Sequence, residues 1–206
     1  MDCGLKPTTV NLALSAVKSF YRFALSRKLV ECDPAHGVKG PKKPKPLPQF
    51  VRESEMNQLL DENLPADSRD YNNVRARTIF ILFYETGVRL AELIGIDDAD
   101  VDIAARQLKV TGKRNKQRIV PFGEELATAL SKYMALRDAE VTRQSTALFV
   151  TEKGERLSRG QVQYLVRKHL LGVTTLKKRS PHVLRHSFAT AMLNNGAGLE
   201  GVKKLL

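Results

Sequence analysis

Two arginines in separate motifs carry the strongest chemical signal in the sequence. Arg89 lies in the run Thr86–Leu93, and Arg185 lies in the run Ser180–Thr190, which also contains His182. Pro181 and Ser180 predict that a helix begins here, so His182 and Arg185, three residues apart, share a face. Two guanidiniums, an imidazole and the free N–H groups of a helix start suit the binding of one phosphodiester and of charge developing on it.

Two further side chains could complete such a site. Glu92 follows Arg89 by three residues and can hold its guanidinium in place, although an ordinary local ion pair of little energy is the alternative. Lys113 lies in Thr111–Gln117, which predicts a hairpin tip. A lysine at a tip is usually solvated, but a tip that reaches into a groove can deliver an ammonium as a proton donor.

The positive charge is concentrated in the segments that carry these motifs. The 206 residues have a net charge of +12. Residues 106–118 hold six Lys or Arg and no acid, residues 156–198 hold eight and no acid, and residues 53–70 hold six acids. A generic positive surface is the simpler interpretation, but the coincidence with the motifs favours a face that binds nucleic acid.

Other functional classes find little support. The longest apolar run, Ile79–Tyr84, is too short to span a bilayer, and the first thirty residues contain no signal-peptide core. Cys3 and Cys32 form neither a disulfide framework nor a metal-ligand spacing, so we expect a reducing, cytoplasmic compartment and no membrane partner. No acidic cluster lies near the basic motifs, which argues against a metal-dependent nuclease. We therefore expect no metal and no cofactor.

The elements that must position these residues are mostly helical. Apolar periodicity predicts a mainly α fold with a small antiparallel β-sheet, of the α+β class. The predicted helices are Thr8–Leu29, Glu53–Glu62, Asp70–Thr86, Arg89–Ile94, Glu124–Arg143, Ser158–Leu171, Pro181–Asn194 and a last one from Val202 onward. The predicted strands are Val101–Ile103, Gln107–Val110 and Arg118–Pro121.

Composition predicts three segments with different roles. Residues 1–38 hold one helix whose broad apolar stripe a single helix cannot bury, so we expect the end of a small helical domain whose front is absent. Residues 39–48 alternate lysine with proline and predict a basic, extended linker that can follow phosphates. Residues 49–206 hold all the motifs and predict the main domain.

Three motifs in order resemble the tyrosine recombinase (phage-integrase) family, and most of all its Xer-type branch. They are Thr86–Leu93, Gly112–Pro121 and His182–Thr190. The resemblance covers Phe50–Leu206, which matches the catalytic domain, and Pro7–Pro48, which is similar to the last helix of the core-binding, DNA-clamping domain and the interdomain linker. Each motif alone is weak evidence, whereas three in order at sensible spacing are highly specific.

The resemblance implies a role for each matching residue. Arg89 and Arg185 match the pair that clamps the scissile phosphate, Lys113 the lysine that protonates the leaving 5′-hydroxyl, and His182 the histidine that assists proton transfer. Glu92 and His186 match supporting positions. The residues that we expect to bind DNA are Lys39, Lys42, Lys43, Lys45, Arg114, Lys116, Arg118, Lys177, Lys178 and Arg179.

The family's nucleophilic tyrosine has no match in this sequence. It follows a Gly-His pair beyond the position of Leu206, and none of the five tyrosines lies in that context. The resemblance therefore implies a fragment that binds double-stranded DNA without cleaving it. Its full-length parent would cleave and rejoin DNA through a 3′-phosphotyrosine, as a tetramer of recombinase protomers on DNA. A non-catalytic DNA-binding module is the alternative.

Overall fold

The computed structural model describes residues 4–42 and 49–205, and the chain divides into two compact units, Met1–Leu47 and Pro48–Leu206. The first unit contains α1. The second contains seven helices and three strands within its described residues. The elements are α1 (Pro7–Ser26), α2 (Glu53–Gln58), α3 (Tyr71–Thr86), α4 (Leu90–Gly95), β1 (Val101–Asp102), β2 (Gln107–Thr111), β3 (Gln117–Pro121), α5 (Glu124–Glu140), α6 (Arg159–Leu171), α7 (Pro181–Asn194) and α8 (Leu199–Leu205).

The first unit is one helix with a short return segment. Asn11 on α1 donates through Nδ2 to the carbonyl of Pro41 at 2.9 Å, which ties that segment to the helix. Lys28 adopts a φ of +54°, a left-handed conformation that ends the helix near Ser26 rather than at the predicted Leu29. Much of the apolar stripe is exposed, including 62% of Phe20.

Helix α3 lies at the centre of the second unit. Ile79, Phe80, Leu82 and Phe83 are fully buried, so the helix is apolar around most of its circumference and packs against both α5 and α7. The Asp70 side chain accepts from the backbone N–H of Asn73 at 2.8 Å and begins the helix. It ends at Gly87, whose left-handed φ of +57° redirects the chain.

The three strands form one antiparallel sheet in the order β1-β2-β3. Leu108, Val110 and Val120 turn one face into the core, as strand alternation requires. Val110 pairs with Arg118, and Thr111 pairs with Gln117, so the β2–β3 tip spans residues 112–116.

A buried arginine fixes the chain between α4 and β1. Arg137 on α5 is 0% exposed, and its NH1 donates to Asp98 Oδ1 and to the carbonyl of Leu148, both at 2.8 Å. Burial alone would lower the pKa of Arg137, but hydrogen bonds from its guanidinium to Asp138 and Asp98 outweigh burial and raise it. The segment that follows α4 is therefore anchored firmly to α5.

The predicted fold class, mainly helical with a small antiparallel sheet, is confirmed. Besides the end of α1, several boundaries in the second unit differ from prediction. The last helix begins at Leu199 rather than Val202. The predicted helix Glu53–Glu62 divides into α2 and a π-helical turn over Leu59–Asn63. Helix α5 ends at Glu140 rather than Arg143, because the Arg143 guanidinium contacts Asp98 and the carbonyl of Ala147. Among the helices of the described residues, none has the length and apolar character that a membrane crossing requires.

Candidate functional site

A pocket of about 600 Å³ lies where four segments of the second unit converge. These segments are the turn into α4, the β2–β3 tip, and the first turns of α6 and α7. The pocket contains five of the six residues that the sequence predicts to be catalytic or supporting. The lining residues are Val88, Arg89, Leu90, Ala91, Glu92, Thr111, Gly112, Lys113, Arg159, Gln163, Ser180, Pro181, His182 and Arg185.

Arg89 stands between two helices rather than within one. It is the residue before α4, with an extended backbone of φ −77° and ψ 152°. About half of its side chain is exposed, and its NH1 donates to Glu92 Oε1 at 2.9 Å. The break at Gly87 therefore turns the guanidinium into the pocket, as the sequence predicts.

Glu92 is a buried carboxylate held from three directions. It is 2% exposed, and besides the guanidinium of Arg89 it accepts from the Arg89 backbone N–H at 2.8 Å. Arg118 on β3 donates to both carboxylate oxygens, at 2.8 Å and 3.0 Å. Burial alone would raise the pKa of Glu92, but the hydrogen bonds from Arg118 and Arg89 outweigh burial and lower it to about 2. Glu92 therefore stays charged throughout the physiological range.

Arg185 approaches the pocket from α7. Its NH1 donates to the carbonyl of Gly87, the residue that ends α3. Burial lowers the pKa of Arg185 to about 10, and the positive charges of Arg89 and Arg118 add to the effect while Glu92 opposes it. At neutral pH the group is still charged, and an anion bound in the pocket would offset its repulsion from Arg89 and Arg118.

The rings of two histidines on α7 meet edge to face beside the pocket. The rings of His182 and His186 are 4.4 Å apart between centroids, with an interplanar angle of 71°. His182 is exposed and lines the pocket, whereas His186 does not. Burial lowers the pKa of His186, with further contributions from His182 and Arg185.

The β2–β3 tip brings Lys113 to the pocket wall. Gly112 donates its N–H to the carbonyl of Lys116 at 2.8 Å and closes the tip. Arg114 and Asn115 both adopt a φ of +59°, which folds the tip back on itself. Lys113, Arg114 and Lys116 are all exposed, and of these three cations only Lys113 lines the pocket.

The remaining residues that we expect to bind DNA fall into several environments. Lys39 and Lys42 are exposed in the first unit, while Lys43 and Lys45 lie outside the described residues. Lys177 and Lys178 are exposed before α7, and the next residue, Arg179, donates from NH2 to the carbonyl of Thr174 at 3.1 Å. Arg118 differs from the other residues in this group, because its guanidinium donates hydrogen bonds to the buried carboxylate of Glu92.

Two residues that line the pocket are not predicted from the sequence, and neither is the contact of Arg118 beside it. Arg159 and Gln163 line it from one face of α6, four residues apart, and nothing in their sequence context distinguishes them from other surface residues. The inward direction of Arg118 did have a signal. Arg118 and Val120 are two residues apart on a strand and so point to the same face, and Val120 is buried.

No tyrosine lies among the pocket-lining residues, although all five tyrosines fall within the described ranges. Tyr71 and Tyr133 are in the core, Tyr84 is half-buried on α3, Tyr164 is exposed on α6, and Tyr21 belongs to the first unit. Within residues 4–42 and 49–205, no group of three or more His, Cys, Asp or Glu side chains could hold a metal ion.

The fold, a mainly helical domain with a three-stranded sheet, is that of a tyrosine recombinase catalytic domain. The chain belongs to the phage integrase family, whose model matches residues 49–206.

Comparison with individual proteins supports this membership. The chain is 39% identical to the tyrosine recombinase XerC of Chlorobaculum parvum, over 100% of this chain and 67% of that protein. It is 40% identical to XerC of Shewanella oneidensis, over 98% of this chain and 65% of that protein. The chain thus spans about two thirds of the length of these relatives.

Solved structures share the same fold. The crystal structure of XerA recombinase superposes with a TM-score of 0.68 and 31% identity, over 95% of this chain and 65% of that one. A structure of XerH recombinase bound to its difH substrate gives a TM-score of 0.69 over 98% of this chain and 63% of that one. At 21% identity, the XerH structure bears on the fold alone.

Proposed function

We propose that residues 49–206 form the phosphate-binding part of the active site of a site-specific DNA recombinase. The observation that carries the proposal is the convergence of Arg89, Lys113, His182 and Arg185 on one pocket from three segments of the chain. Such an arrangement serves positioning and electrostatic stabilisation of a phosphodiester, the chemistry expected of the family. XerC, XerA and XerH are all recombinases by name.

In this proposal the two guanidiniums hold the scissile phosphate and stabilise charge that develops on its oxygens. The N-terminus of α7 adds a partial positive charge, since Ser180, Pro181 and His182 line the pocket at its first turn. His182 assists proton transfer at the nucleophile, and Lys113 protonates the leaving 5′-hydroxyl. No metal is needed, because two arginines supply the positive charge.

The attacking group has no candidate among the residues that line the pocket. We propose that a tyrosine outside residues 1–206 attacks phosphorus and forms a 3′-phosphotyrosine, and that the chain as given binds double-stranded DNA without cleaving it. The acid-free basic stretches that hold Lys113, His182 and Arg185 support DNA as the partner, and two proteins of the same fold are solved as complexes, XerH with its difH substrate and the Tn1549 transposon integrase with transposon right end DNA. We further propose that the full-length protein acts as a tetramer of protomers on DNA.

A non-catalytic DNA-binding module is the second candidate, favoured by the lack of a tyrosine at the pocket. The two candidates agree on DNA binding and differ in cleavage once a tyrosine segment is supplied. A longer chain that contains this segment would form a covalent DNA complex under the first proposal and none under the second.

Binding to a fluorescent 20-base-pair duplex across a salt series tests the shared part of both candidates. We expect log affinity to fall linearly with log salt, with a slope of about −0.9 for each phosphate neutralised. Arg185→Ala should weaken binding and make the slope less steep. Lys153→Ala, which removes an exposed cation outside the pocket lining, is the matched control and should change the slope much less. A salt-independent affinity would refute DNA binding through phosphates.

A further inference from the structure

We propose that Arg118 is a positioning residue that acts through Glu92, and not a cation that contacts DNA. Its guanidinium forms a two-pronged contact with the buried Glu92 carboxylate, which in turn holds Arg89. The inference rests on the proposed function, because it assigns Arg118 a task in the phosphate-binding site.

The geometry of Arg118 leaves little of it available to DNA. NH1 donates to Glu92 Oε1 at 2.8 Å and NH2 donates to Oε2 at 3.0 Å, so the flat end of the guanidinium is occupied. One quarter of the side chain is exposed, compared with about half for Arg89. Arg114 and Lys116, at the tip of the same hairpin, are exposed.

The contact joins the two segments that carry the proposed catalytic cations. Glu92 is on α4, three residues after Arg89, whereas Arg118 is the second residue of β3, the strand that returns from the Lys113 tip. Gly112 lies over the carboxylate, since a Cβ built at that glycine would be 3.3 Å from Glu92 Oε1. The base of the hairpin is therefore held against α4, and the position of Lys113 depends on the same carboxylate that orients Arg89.

Charge explains why this position needs an arginine. A buried carboxylate with Arg89 as its only cationic partner would draw that guanidinium toward itself and away from a phosphate. Arg118 supplies a second positive charge and two of the hydrogen bonds, so Arg89 can share its donors with a ligand. A lysine could not make both parallel bonds, because an ammonium is a point donor on a flexible stem.

The first test is spectroscopic and needs no DNA. The side-chain carboxyl carbon of Glu92 is followed by NMR during acid titration of the chain, of Arg118→Gln and of Arg114→Gln. We expect the Glu92 titration midpoint to rise in Arg118→Gln and to stay unchanged in Arg114→Gln. Amide exchange at residues 110–118 should accelerate in Arg118→Gln alone. An unchanged Glu92 midpoint in Arg118→Gln would overturn the proposal.

The second test separates an indirect effect on DNA from a direct one. Binding of a 20-base-pair duplex is compared for Arg118→Gln, Glu92→Gln and the double variant. Glu92→Gln removes a negative charge near the phosphate, and this charge effect by itself should tighten DNA binding. If Glu92 instead positions Arg89, the same substitution should weaken DNA binding. We expect each single variant to weaken binding about tenfold and the double variant to be no weaker than either, since both break one interaction.

The possible outcomes distinguish this inference from the proposed function. If the unmodified chain does not bind the duplex, the proposed function fails, while the NMR test still decides whether Arg118 holds Glu92. Suppose instead that the chain binds DNA, and that Arg118→Gln weakens binding by the same factor in the unmodified chain and in the Glu92→Gln variant. Arg118 then contacts phosphate directly and the proposal is wrong. Arg118→Lys should weaken DNA binding as much as Arg118→Gln does. If the lysine variant kept the full DNA affinity, the positioning role of Arg118 would also be contradicted.

Discussion

The guanidinium of Arg185 donates a hydrogen bond to the main-chain carbonyl of Gly87, although the two residues are 98 positions apart in the sequence. Gly87 follows the last residue of α3 and lies two residues before Arg89, so this bond connects Arg185 to the backbone that leads directly into Arg89. The relative position of the guanidiniums therefore depends on the backbone conformation of Gly87.

Replacement of Gly87 by alanine should be strongly destabilising for two independent reasons. Its φ of +57° is unfavourable for an L side chain, and a Cβ would be 2.3 Å from a ring atom of Phe188. Left-handed strain and overpacking together predict a loss of about 2–4 kcal/mol in the free energy of unfolding, measured by urea denaturation. Gly160→Ala, where a Cβ meets nothing within 4 Å, is the control and should be neutral or slightly stabilising. Equal stability of the two variants would contradict this account.

Glu92 should contribute to stability in a pH-dependent way. Its pKa in the folded state is about 2, below the ordinary value of 4.5, so its contribution is fully present above pH 4.5 and disappears as pH falls toward 2. At about 1.4 kcal/mol for each pKa unit, the contribution is about 3 kcal/mol. The unfolding free energies of the unmodified chain and of Glu92→Gln are measured as a function of pH. The difference between them should become smaller as the pH falls from 5 to 3. Glu155→Gln, at an exposed carboxylate, should show no such narrowing.

Local sequence signals predict where most of the helices and strands lie, but not the side-chain contacts at the pocket. Proline and serine before His182 predicted where α7 begins, and Gly87 predicted where α3 ends. The π-helical turn after Gln58 has no comparable signal, because it depends on how Leu59 and Leu60 are buried.

Arg118 shows the same limit at the level of a single side chain. Its position in a basic stretch indicated a cation for DNA, and the tertiary structure instead places it against a buried carboxylate. A contact between residues 26 positions apart depends on strand register and on the packing of α4 against β2, which local patterns do not specify. Direct contact of Arg114 and Lys116 with DNA stays a prediction.

In a longer protein that supplies the family's tyrosine, Arg185→Ala should slow strand cleavage by at least about a hundredfold. The guanidinium is required where charge builds on the phosphate oxygens, and loss of one such donor typically costs about 3–4 kcal/mol of barrier. The protein should still fold, because Arg185 is half-buried at the pocket and is not part of the buried apolar core. We would measure single-turnover cleavage of a nicked substrate by the Arg185→Ala protein and by the unmodified longer protein. Their thermal unfolding midpoints serve as the control for folding.

Arg185→Lys should fail to restore this cleavage, because an ammonium cannot hold the Gly87 carbonyl and two phosphate oxygens in one plane. Lys153→Ala, outside the pocket, is the control for loss of a positive charge and should cleave normally. Cleavage by a well-folded Arg185→Ala protein at the unmodified rate would remove Arg185 from the proposed site.

Residues 1–206 alone should form no covalent complex with DNA. A phosphotyrosine mechanism needs a phenol oxygen in line with the leaving oxygen at near-contact distance. Tyr71 and Tyr133 are buried, 5% and 0% exposed, and their hydroxyls are 3.4 Å apart. Burial raises the pKa of Tyr133, with its Tyr71 contact adding to the effect, and burial also raises the pKa of Tyr84, so both phenols lose their protons less readily. Tyr164 is 69% exposed but lines a different pocket.

A nicked duplex that traps cleavage intermediates provides the measurement, with the products separated on a denaturing gel. We expect no shifted band from residues 1–206 and a clear band from a longer chain that includes the tyrosine segment, because no tyrosine is among the residues that line the proposed phosphate site. Arg185→Ala in the longer chain is the matched control and should remove the band. A covalent adduct formed by residues 1–206 and mapped to one of their five tyrosines would show that the nucleophile lies within this sequence, and the proposal of an external tyrosine would then be wrong.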